Sequence, residues 1–185
     1  MVKKTIIISG TPGSGKTTIA KLLAKKTKAK LIDINKFAIN KKLIVGFDKK
    51  FKSKIIDIKK LSKYLQKEIR KIKQVILEGH LGCELKLKAD YVIILRLNPK
   101  KLFERLKKRN YSKLKIKENL MAEALDYCTI LAQKNFKKSK IIEIDCTNKN
   151  AKDISDLIYR IVFLDKKYKI KKISWIEQIE EIEKI

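Results

Sequence analysis

The sequence lacks any apolar run of the roughly 18 residues that a membrane-spanning helix needs. Met1 to Lys4 lead directly into an apolar stretch without the pattern of a signal peptide, so we expect neither a membrane span nor a membrane partner. Cysteine is also scarce: Cys83, Cys128 and Cys146 are odd in number, and no two form a CxxC pair. This excludes a disulfide scaffold and indicates buried thiols in a reducing, cytoplasmic setting.

Acidic residues are few, with 20 Asp and Glu against 47 Lys and Arg, and the formal net charge is +27. Only five of the basic residues are Arg, and the lysines are spread over every segment. Such a charge is typical of a protein that contacts a polyanion, most simply RNA or a ribosomal particle. It is equally typical of a lysine-biased genome or of a heat-adapted chain. Charge alone does not decide between these interpretations.

One short stretch carries the clearest functional pattern, Gly10-Thr11-Pro12-Gly13-Ser14-Gly15-Lys16-Thr17-Thr18. Four residues separate the first and last glycines, and Lys and Thr follow, as in the phosphate loop of nucleotide-binding proteins. The apolar run 6–8 before it predicts a buried strand, and Ile19, Leu22 and Leu23 after it predict one apolar face of a helix. A glycine-rich turn that binds nothing is the alternative, but both flanks favour a nucleoside triphosphate site.

The chemistry of such a loop requires these residue types. Glycines let the backbone adopt positive φ and approach an anion closely, so that successive N–H groups surround a phosphate. The helix that follows adds its free N–H groups and the positive end of its dipole. We expect Lys16 to reach the β- and γ-phosphates and the Thr17 hydroxyl to take one position around Mg²⁺.

Further strands are predicted at 30–34, 75–77, 91–95 and 140–145, and helical patterns lie between them. Asp57 and the Asn98-Pro99 pair are predicted to begin two of these helices, and one long helix is expected over 115–135. The last helix is predicted to open with a capping box, Ser174-Trp175-Ile176-Glu177. Alternating strands and helices predict an α/β fold, a three-layer sandwich with a five-stranded parallel sheet and helices on both faces. The nucleotide is expected at the carboxyl ends of the strands.

We predict a domain over residues 1–165 of the P-loop NTPase type, followed by a basic linker and a C-terminal helix over 166–185. This acidic helix is expected to pack on a lysine-rich surface of the same domain, with an exposed partner-binding helix as the alternative. The polar segment 35–56 is interpreted as a flap that binds the phosphoryl acceptor, with an ordinary surface insertion as the alternative. Residues 108–118 are predicted to form a short lid.

Three side chains outside the loop are candidates for catalysis. Glu78 stands where the third predicted strand leaves the sheet, a position from which a carboxylate can hold a Mg²⁺-bound water or orient a nucleophile. His80, the single histidine, follows two residues later, and a solvated loop imidazole is its alternative. Arg109 lies after a helix end, where cations also offset the helix dipole, but it can face the transferred phosphoryl group.

Several nucleotide-binding classes do not fit. A GTPase needs a base-reading Asn-Lys-x-Asp, whereas Asn148-Lys149-Asn150-Ala151 lacks the Asp. Large motor ATPases are longer and carry a buried strand that ends in an Asp-Glu pair. A small phosphotransferase of the nucleoside monophosphate kinase type fits the length, the strand count and the position of the flap. Small-molecule kinases such as shikimate kinase share the fold and remain an alternative.

These residues resemble the adenylate kinase isoenzyme-six family, the dual kinase/ATPases of ribosome assembly. The resemblance spans most of the chain and includes the phosphate loop, Glu78-Gly79-His80 with Cys83, the strand that ends in Arg96, and Arg109-Asn110-Tyr111 after Glu104-Arg105-Leu106. It implies transfer of the γ-phosphoryl group of MgATP to AMP or another nucleoside monophosphate, together with ATPase activity. It also implies a transient role in maturation of the small ribosomal subunit and its rRNA, through ribosomal protein uS11.

Carried over by position, the resemblance predicts that ATP is held by Gly13, Gly15, Lys16, Thr17, Thr18, Arg109 and, near the adenine, Lys149. Thr17 and Glu78 are the predicted metal residues, and Lys16, Arg109, Glu78 and His80 the catalytic ones. The sequence departs from the family where Glu78 replaces an Asp, Asn110 replaces a lid Gly and Ile39 replaces an Arg near the acceptor phosphate. Lys41 or Lys42 are candidates to replace that Arg, but a point charge lacks its bidentate fork.

Overall fold

The computed structural model describes residues 3–51, 53–169 and 173–185. Its strands are β1 (Lys4–Ser9), β2 (Lys30–Asp33), β3 (Ile44–Asp48), β4 (Ser53–Ile56), β5 (Gln74–Glu78), β6 (Tyr91–Arg96) and β7 (Lys140–Asp145). Its α-helices are α1 (Lys16–Thr27), α2 (Ile34–Asn40), α3 (Ile58–Ile69), α4 (Pro99–Lys107), α5 (Lys113–Ala124), α6 (Tyr127–Asn135), α7 (Ala151–Phe163) and α8 (Ile179–Glu183).

Five strands form a parallel sheet in the order β2-β5-β1-β6-β7, and β3 and β4 form a separate antiparallel hairpin. The predicted α/β fold with a five-stranded parallel sheet is confirmed. The strand that precedes the phosphate loop is central, so the loop emerges between the carboxyl ends of β5 and β6.

Alternate residues of the strands enter two cores, because successive side chains of a strand point to opposite faces. On one face, Ile6 and Ile8 of β1 join Leu23 of α1 and helices α4, α5 and α7. On the other, Ile7 joins Leu65 of α3, and helices α2 and α6 contribute further apolar side chains. Burying each such side chain stabilises the fold by about 1.5–3 kcal/mol. The two cores account for the three layers.

The predicted starts of α3 and α4 are confirmed by their caps. The Asp57 carboxylate accepts a hydrogen bond from the Lys60 N–H at 2.9 Å, and the Asn98 side chain accepts one from the Lys100 N–H at 2.9 Å. Within α1, Ile19 and Leu23 are buried as expected, whereas Leu22 is 37% exposed. All three cysteine thiols are free and buried, as predicted.

The single helix predicted over 115–135 is wrong. The chain forms α5 and α6, and between them Asp126 adopts a left-handed conformation with φ of +55°. The reason lies in another part of the chain: the buried guanidinium of Arg96 donates a hydrogen bond to the Asp126 carboxylate. An ion pair with a buried partner, which helical periodicity cannot reveal, fixes the turn at this point.

The predicted capping box at Ser174 is also wrong. A 3₁₀ turn over Ile176–Gln178 follows Trp175, which caps it without a side-chain hydrogen bond, and α8 then begins at Ile179. Helix α8 packs on α5 through the buried Ile182, and Lys100 forms an ion pair with Glu181 at 3.1 Å. Residues 170–172 of the expected basic linker lie outside the described residues.

The segment interpreted as a flap contains most of α2 and the β3–β4 hairpin, and the segment interpreted as a lid contains a loop over 108–112 and the first turns of α5. Asn110 in that loop has φ of +54°, a conformation that Asn tolerates better than most residues. None of the helices in 3–51, 53–169 and 173–185 has the length and apolar character needed to cross a bilayer.

Candidate nucleotide-binding site

A cleft of about 780 Å³ opens at the carboxyl edge of the parallel sheet. The register of the strands places the residues at the base of the cleft side by side, because Ile8 of β1 and Asp33 of β2 both pair with Glu78 of β5. The cleft is lined by all but one of the residues predicted for catalysis or ATP binding, namely Gly13, Gly15, Lys16, Thr17, Thr18, Glu78, His80 and Arg109. The exception is Lys149, which is exposed in the loop after β7 and does not line the cleft.

Glycine is required in the loop for two different reasons. Gly10 has φ of +140°, and a Cβ there would lie 2.4 Å from the carbonyl oxygen of Leu95. Gly15 has φ of +98° and caps α1 without a side chain, which leaves the first amides of that helix free to face the cleft. Free amides at a helix N-terminus bind anions well, so the loop has the geometry that phosphate binding needs.

Lys16 folds back onto the loop. Its Nζ donates hydrogen bonds to the carbonyl oxygens of Gly10 at 2.8 Å and Thr11 at 2.9 Å. The side chain is only 8% exposed, and this burial lowers its pKa from 10.5 to about 8. The ammonium is therefore mostly charged at neutral pH, and it is held in place by carbonyls that a phosphate can replace.

Thr17 and Glu78 meet at the foot of the cleft, where the Thr17 hydroxyl lies 3.2 and 3.3 Å from the two carboxylate oxygens of Glu78. Desolvation and then the nearby Asp33 raise the pKa of Glu78, while the Thr17 hydrogen bond opposes this shift. A hydroxyl and carboxylates are hard oxygen donors of the kind that Mg²⁺ prefers, so the residues present fit this ion. No cluster of three or more His, Cys, Asp or Glu with metal-site geometry occurs among the described residues.

His80 is held as a neutral imidazole. Burial, then the charges of Lys16 and Lys115, lower its pKa from 6.5 to about 4. Its Nδ1 lies 3.2 Å from the amide Nδ2 of Asn35. The Asn35 amide and the imidazole therefore share a hydrogen bond that fixes the position of the ring. A neutral imidazole has one N–H and one acceptor nitrogen, so His80 can form one further hydrogen bond to a bound group, and it is not a cation at neutral pH.

Two arginines lie near the phosphate loop, one inside the cleft and one outside it. Arg109 lies in the 108–112 loop, lines the cleft and is exposed. Arg105 of α4 donates a hydrogen bond from Nη1 to the Gly13 carbonyl at 3.1 Å and so supports the phosphate loop from outside. Arg109 is thus free to move toward a bound phosphoryl group, whereas Arg105 is engaged with the backbone.

The sequence is similar to a protein-family model and to named proteins over most of its length. A family model described as an AAA domain matches residues 6–126. Two full-length relatives are named "Putative adenylate kinase". The one from Methanocaldococcus jannaschii is 39% identical, and the match covers 94% of this chain and 93% of the relative. The one from Pyrococcus abyssi is 36% identical, and the match covers 96% of this chain and 94% of the relative. The chain belongs to this adenylate kinase-like family.

Solved structures with the same fold are more distant in sequence. Shikimate kinase from Acinetobacter baumannii in complex with shikimate superposes with a TM-score of 0.61 at 16% identity, over 90% of this chain and 96% of that one. Deoxyadenosine kinase from M. mycoides with bound dATP gives 0.54 at 20% identity, over 88% and 100%. At these identities the likeness shows the fold, and the adenylate kinase-like protein has the P-loop kinase architecture that its sequence predicted.

The part of the cleft that the flap segment lines was only partly predicted from the sequence. Ile39, Phe51 and Lys54 of the flap segment line it, whereas Lys41 and Lys42 do not. The lysines considered as substitutes for a missing arginine therefore lie elsewhere, and among the described residues of the flap Lys54 is the cation that lines the cleft.

Sequence reasoning also missed several polar residues of this adenylate kinase-like site. Asp33 and Asn35 line the cleft at the end of β2, and Tyr111 and Lys115 line it from the lid segment, with the Lys115 ammonium 5.0 Å from the Tyr111 ring centroid. The available signal was positional, because polar residues that directly follow a parallel strand converge on one edge of the sheet. Lys115 lay within the predicted lid but carried no motif of its own.

Proposed function

We propose that this adenylate kinase-like protein is a nucleoside monophosphate kinase that transfers the γ-phosphoryl group of MgATP to AMP or another nucleoside monophosphate. One observation carries the proposal: the phosphate loop and the flap line one continuous cleft of about 780 Å³. Ligand pockets typically span about 300–1,000 Å³, so the cleft has room for a donor and part of an acceptor together. The names of the full-length relatives support the same reaction.

The residues have distinct roles in this proposal. Lys16 exchanges its hydrogen bonds to the carbonyls of Gly10 and Thr11 for contacts with the β- and γ-phosphates. The backbone N–H groups of the phosphate loop and of the first turn of α1 surround these phosphates. Arg109 moves in from the lid and offsets the charge that develops on the transferred group. The loop amides and these cations hold donor and acceptor in line while lid closure excludes water.

Mg²⁺ is the implied cofactor, and Thr17 and Glu78 are the residues that would hold it, directly or through water. When bound, Mg²⁺ neutralises phosphate charge during transfer. The neutral His80 forms a hydrogen bond with a phosphate oxygen or with a water beside Glu78, and its contact with Asn35 holds the ring in place for this. Lys149 near the adenine stays a prediction, since it lies outside the cleft.

The test is the reverse reaction with pure protein. ADP and Mg²⁺ are mixed with the enzyme, and ATP and AMP are separated and measured over time. Conversion is expected with the wild type and is expected to be lost in Lys16→Ala, while Lys63→Ala, which removes an exposed lysine of α3, retains it. Forward turnover with AMP, CMP, GMP, UMP and water then ranks the acceptors. Nucleotide binding without any conversion of ADP would refute the kinase proposal.

A second function is favoured by the acceptor side of the same cleft. Within the described part of the chain, Arg109 is the one arginine that lines it, and Ile39 occupies the position where the resemblance implies another. A weak grip on the acceptor phosphate leaves water as the competing acceptor, which makes the protein an ATPase. The isoenzyme-six resemblance and the net charge of +27 lead us to propose that hydrolysis assists assembly of the small ribosomal subunit.

This second proposal has its own measurement. The ATPase rate and the affinity for ATP are determined alone, with ribosomal protein uS11 and with small-subunit rRNA. A change with uS11 or rRNA that is absent with an unrelated basic protein or with poly-uridine supports the assembly role. Identical rates and affinities in all mixtures would refute it and would leave the kinase proposal unaffected.

A further inference from the structure

A buried ionic network lies directly behind the phosphate loop. Arg96, at the end of β6, is only 2% exposed and is surrounded by three carboxylates. Its Nε lies 2.7 Å from Glu123 and its Nη1 lies 2.6 Å from Glu143, while its Nη2 contacts Asp126 and the Glu123 carbonyl oxygen. A guanidinium with this many charged acceptors is held in one orientation, because moving it would leave buried charges without partners.

Glu123 connects this network to the loop. Its Oε1 accepts hydrogen bonds from Arg96 and from the Leu97 N–H at 3.2 Å. Its Oε2 accepts the hydroxyl hydrogen of Thr11, the second residue of the phosphate loop. Glu123 is 2% and Thr11 3% exposed, so water cannot readily replace this contact.

Thr11 is in turn a structural centre of the loop. Its carbonyl oxygen accepts hydrogen bonds from the Ser14 N–H at 3.1 Å and from Lys16 Nζ at 2.9 Å. A peptide fixed through its side chain by Glu123 therefore sets the curvature of the loop and the resting place of the lysine. Oriented backbone amides bind phosphate well only when they already point at it.

From this geometry we infer that Glu123 is a positioning residue, which holds the phosphate loop in its anion-binding form through Thr11 and is itself held by Arg96. Because Glu123 lies on α5, the helix that leaves the lid and also carries Lys115 into the cleft, the same contact ties the loop to the lid side of the site. The inference rests on the proposed function only in requiring that the loop binds a nucleotide.

Two substitutions test the contact from its two ends. Thr11→Val removes the hydroxyl with little change of shape. Glu123→Gln keeps an oxygen for Arg96 and Leu97, but it presents an amide NH₂ to Thr11, so that the hydroxyl must accept and the hydrogen bond loses its charged partner. We expect the dissociation constants of ATP and ADP, measured by calorimetry, to rise about 10-fold in Thr11→Val, the size of effect expected when one buried hydrogen bond is lost, and about 3-fold or more in Glu123→Gln. Thr11→Ser retains the hydroxyl, and its affinities are expected to lie within about 3-fold of the wild type.

Glu143→Gln is the matched control. It also converts a carboxylate partner of Arg96 to an amide, but its nearest polar partners are Arg96 and Thr129 rather than the loop. Thermal unfolding is also measured on every variant. If the network were purely structural, Glu123→Gln and Glu143→Gln would lower stability without differing in nucleotide affinity. A loss of nucleotide affinity in Glu123→Gln and Thr11→Val but not in Glu143→Gln supports the inference. Equal affinities in all of them would overturn it. Absence of ADP conversion by a wild type that still binds nucleotide would overturn the kinase proposal instead.

Discussion

Replacing Lys16 by Met is expected to make the nucleotide-free protein more stable while it abolishes phosphate binding. The ammonium is 8% exposed, and its two hydrogen-bond partners are neutral carbonyls. Burial in these surroundings lowers its pKa from 10.5 to about 8. Folding therefore works against the charged form, and a side chain of similar length without charge removes that cost.

The magnitude and the sign follow from proton linkage. At about 1.4 kcal/mol per pH unit, the difference between 10.5 and about 8 corresponds to a cost of roughly 3 kcal/mol. Lys16→Met removes this cost but also loses the hydrogen bonds to Gly10 and Thr11, which offsets part of the gain. We therefore expect its free energy of unfolding to be higher by about 1–2 kcal/mol at pH 7. Between pH 8 and 10.5 the unfolded chain binds a proton that the folded chain has lost. Wild-type stability therefore rises with pH through this window, and the advantage of Lys16→Met shrinks there.

Urea unfolding of the wild type and Lys16→Met at pH 7 and pH 9.5, without nucleotide, measures this difference. Lys63→Met, an exposed position on α3, controls for the chemical change itself and is expected to alter stability by less than about 0.5 kcal/mol. MgATP is expected to raise the stability of the wild type only. A Lys16→Met protein that is no more stable at pH 7, or whose advantage is the same at both pH values, would refute the reasoning.

Three further predictions concern single side chains. The unfolded chain protonates His80 near pH 6.5, but the folded chain only near pH 4, so stability falls as the pH drops through this window. In His80→Gln the acid-induced loss, followed by urea unfolding, should be smaller by roughly 3 kcal/mol, and an unchanged loss would contradict the buried neutral ring. Arg109→Ala should lower kcat for ADP conversion at least about 100-fold and change the ATP dissociation constant much less, whereas a selective effect on affinity would argue against a role in phosphoryl transfer. Arg96→Met leaves three carboxylates without their cation and should lower the free energy of unfolding by about 3–5 kcal/mol, so a loss below 1 kcal/mol would mean that the network contributes little.

Local sequence patterns were reliable where the chemistry is itself local. The phosphate loop and the caps at Asp57 and Asn98 are set by residues a few positions apart, and the structure contains them as predicted. The apolar runs that predicted the strands also form the parallel sheet. The single helix over 115–135 failed because its periodicity continues across Asp126, while the break depends on Arg96, which is 30 residues away along the chain.

The candidate site shows the same division. The positions of Glu78 and His80 at the end of a strand could be predicted, because carboxyl ends of parallel strands meet at one edge. Which cations face the cleft could not be predicted, since this depends on how the flap folds: Lys54 enters the cleft, and Lys41 and Lys42 do not.

The amino-acid sequence by itself determined that a nucleotide phosphate binds after β1, because that loop needs only contiguous glycines, a lysine and the start of a helix. Only the tertiary structure decided what holds this loop in shape. The Thr11 hydroxyl meets a carboxylate 112 residues further on, and that carboxylate is oriented by an arginine from a third element. Such contacts are specified by burial and charge compensation in the folded chain, where an unpaired ionic group is too costly to leave in the core.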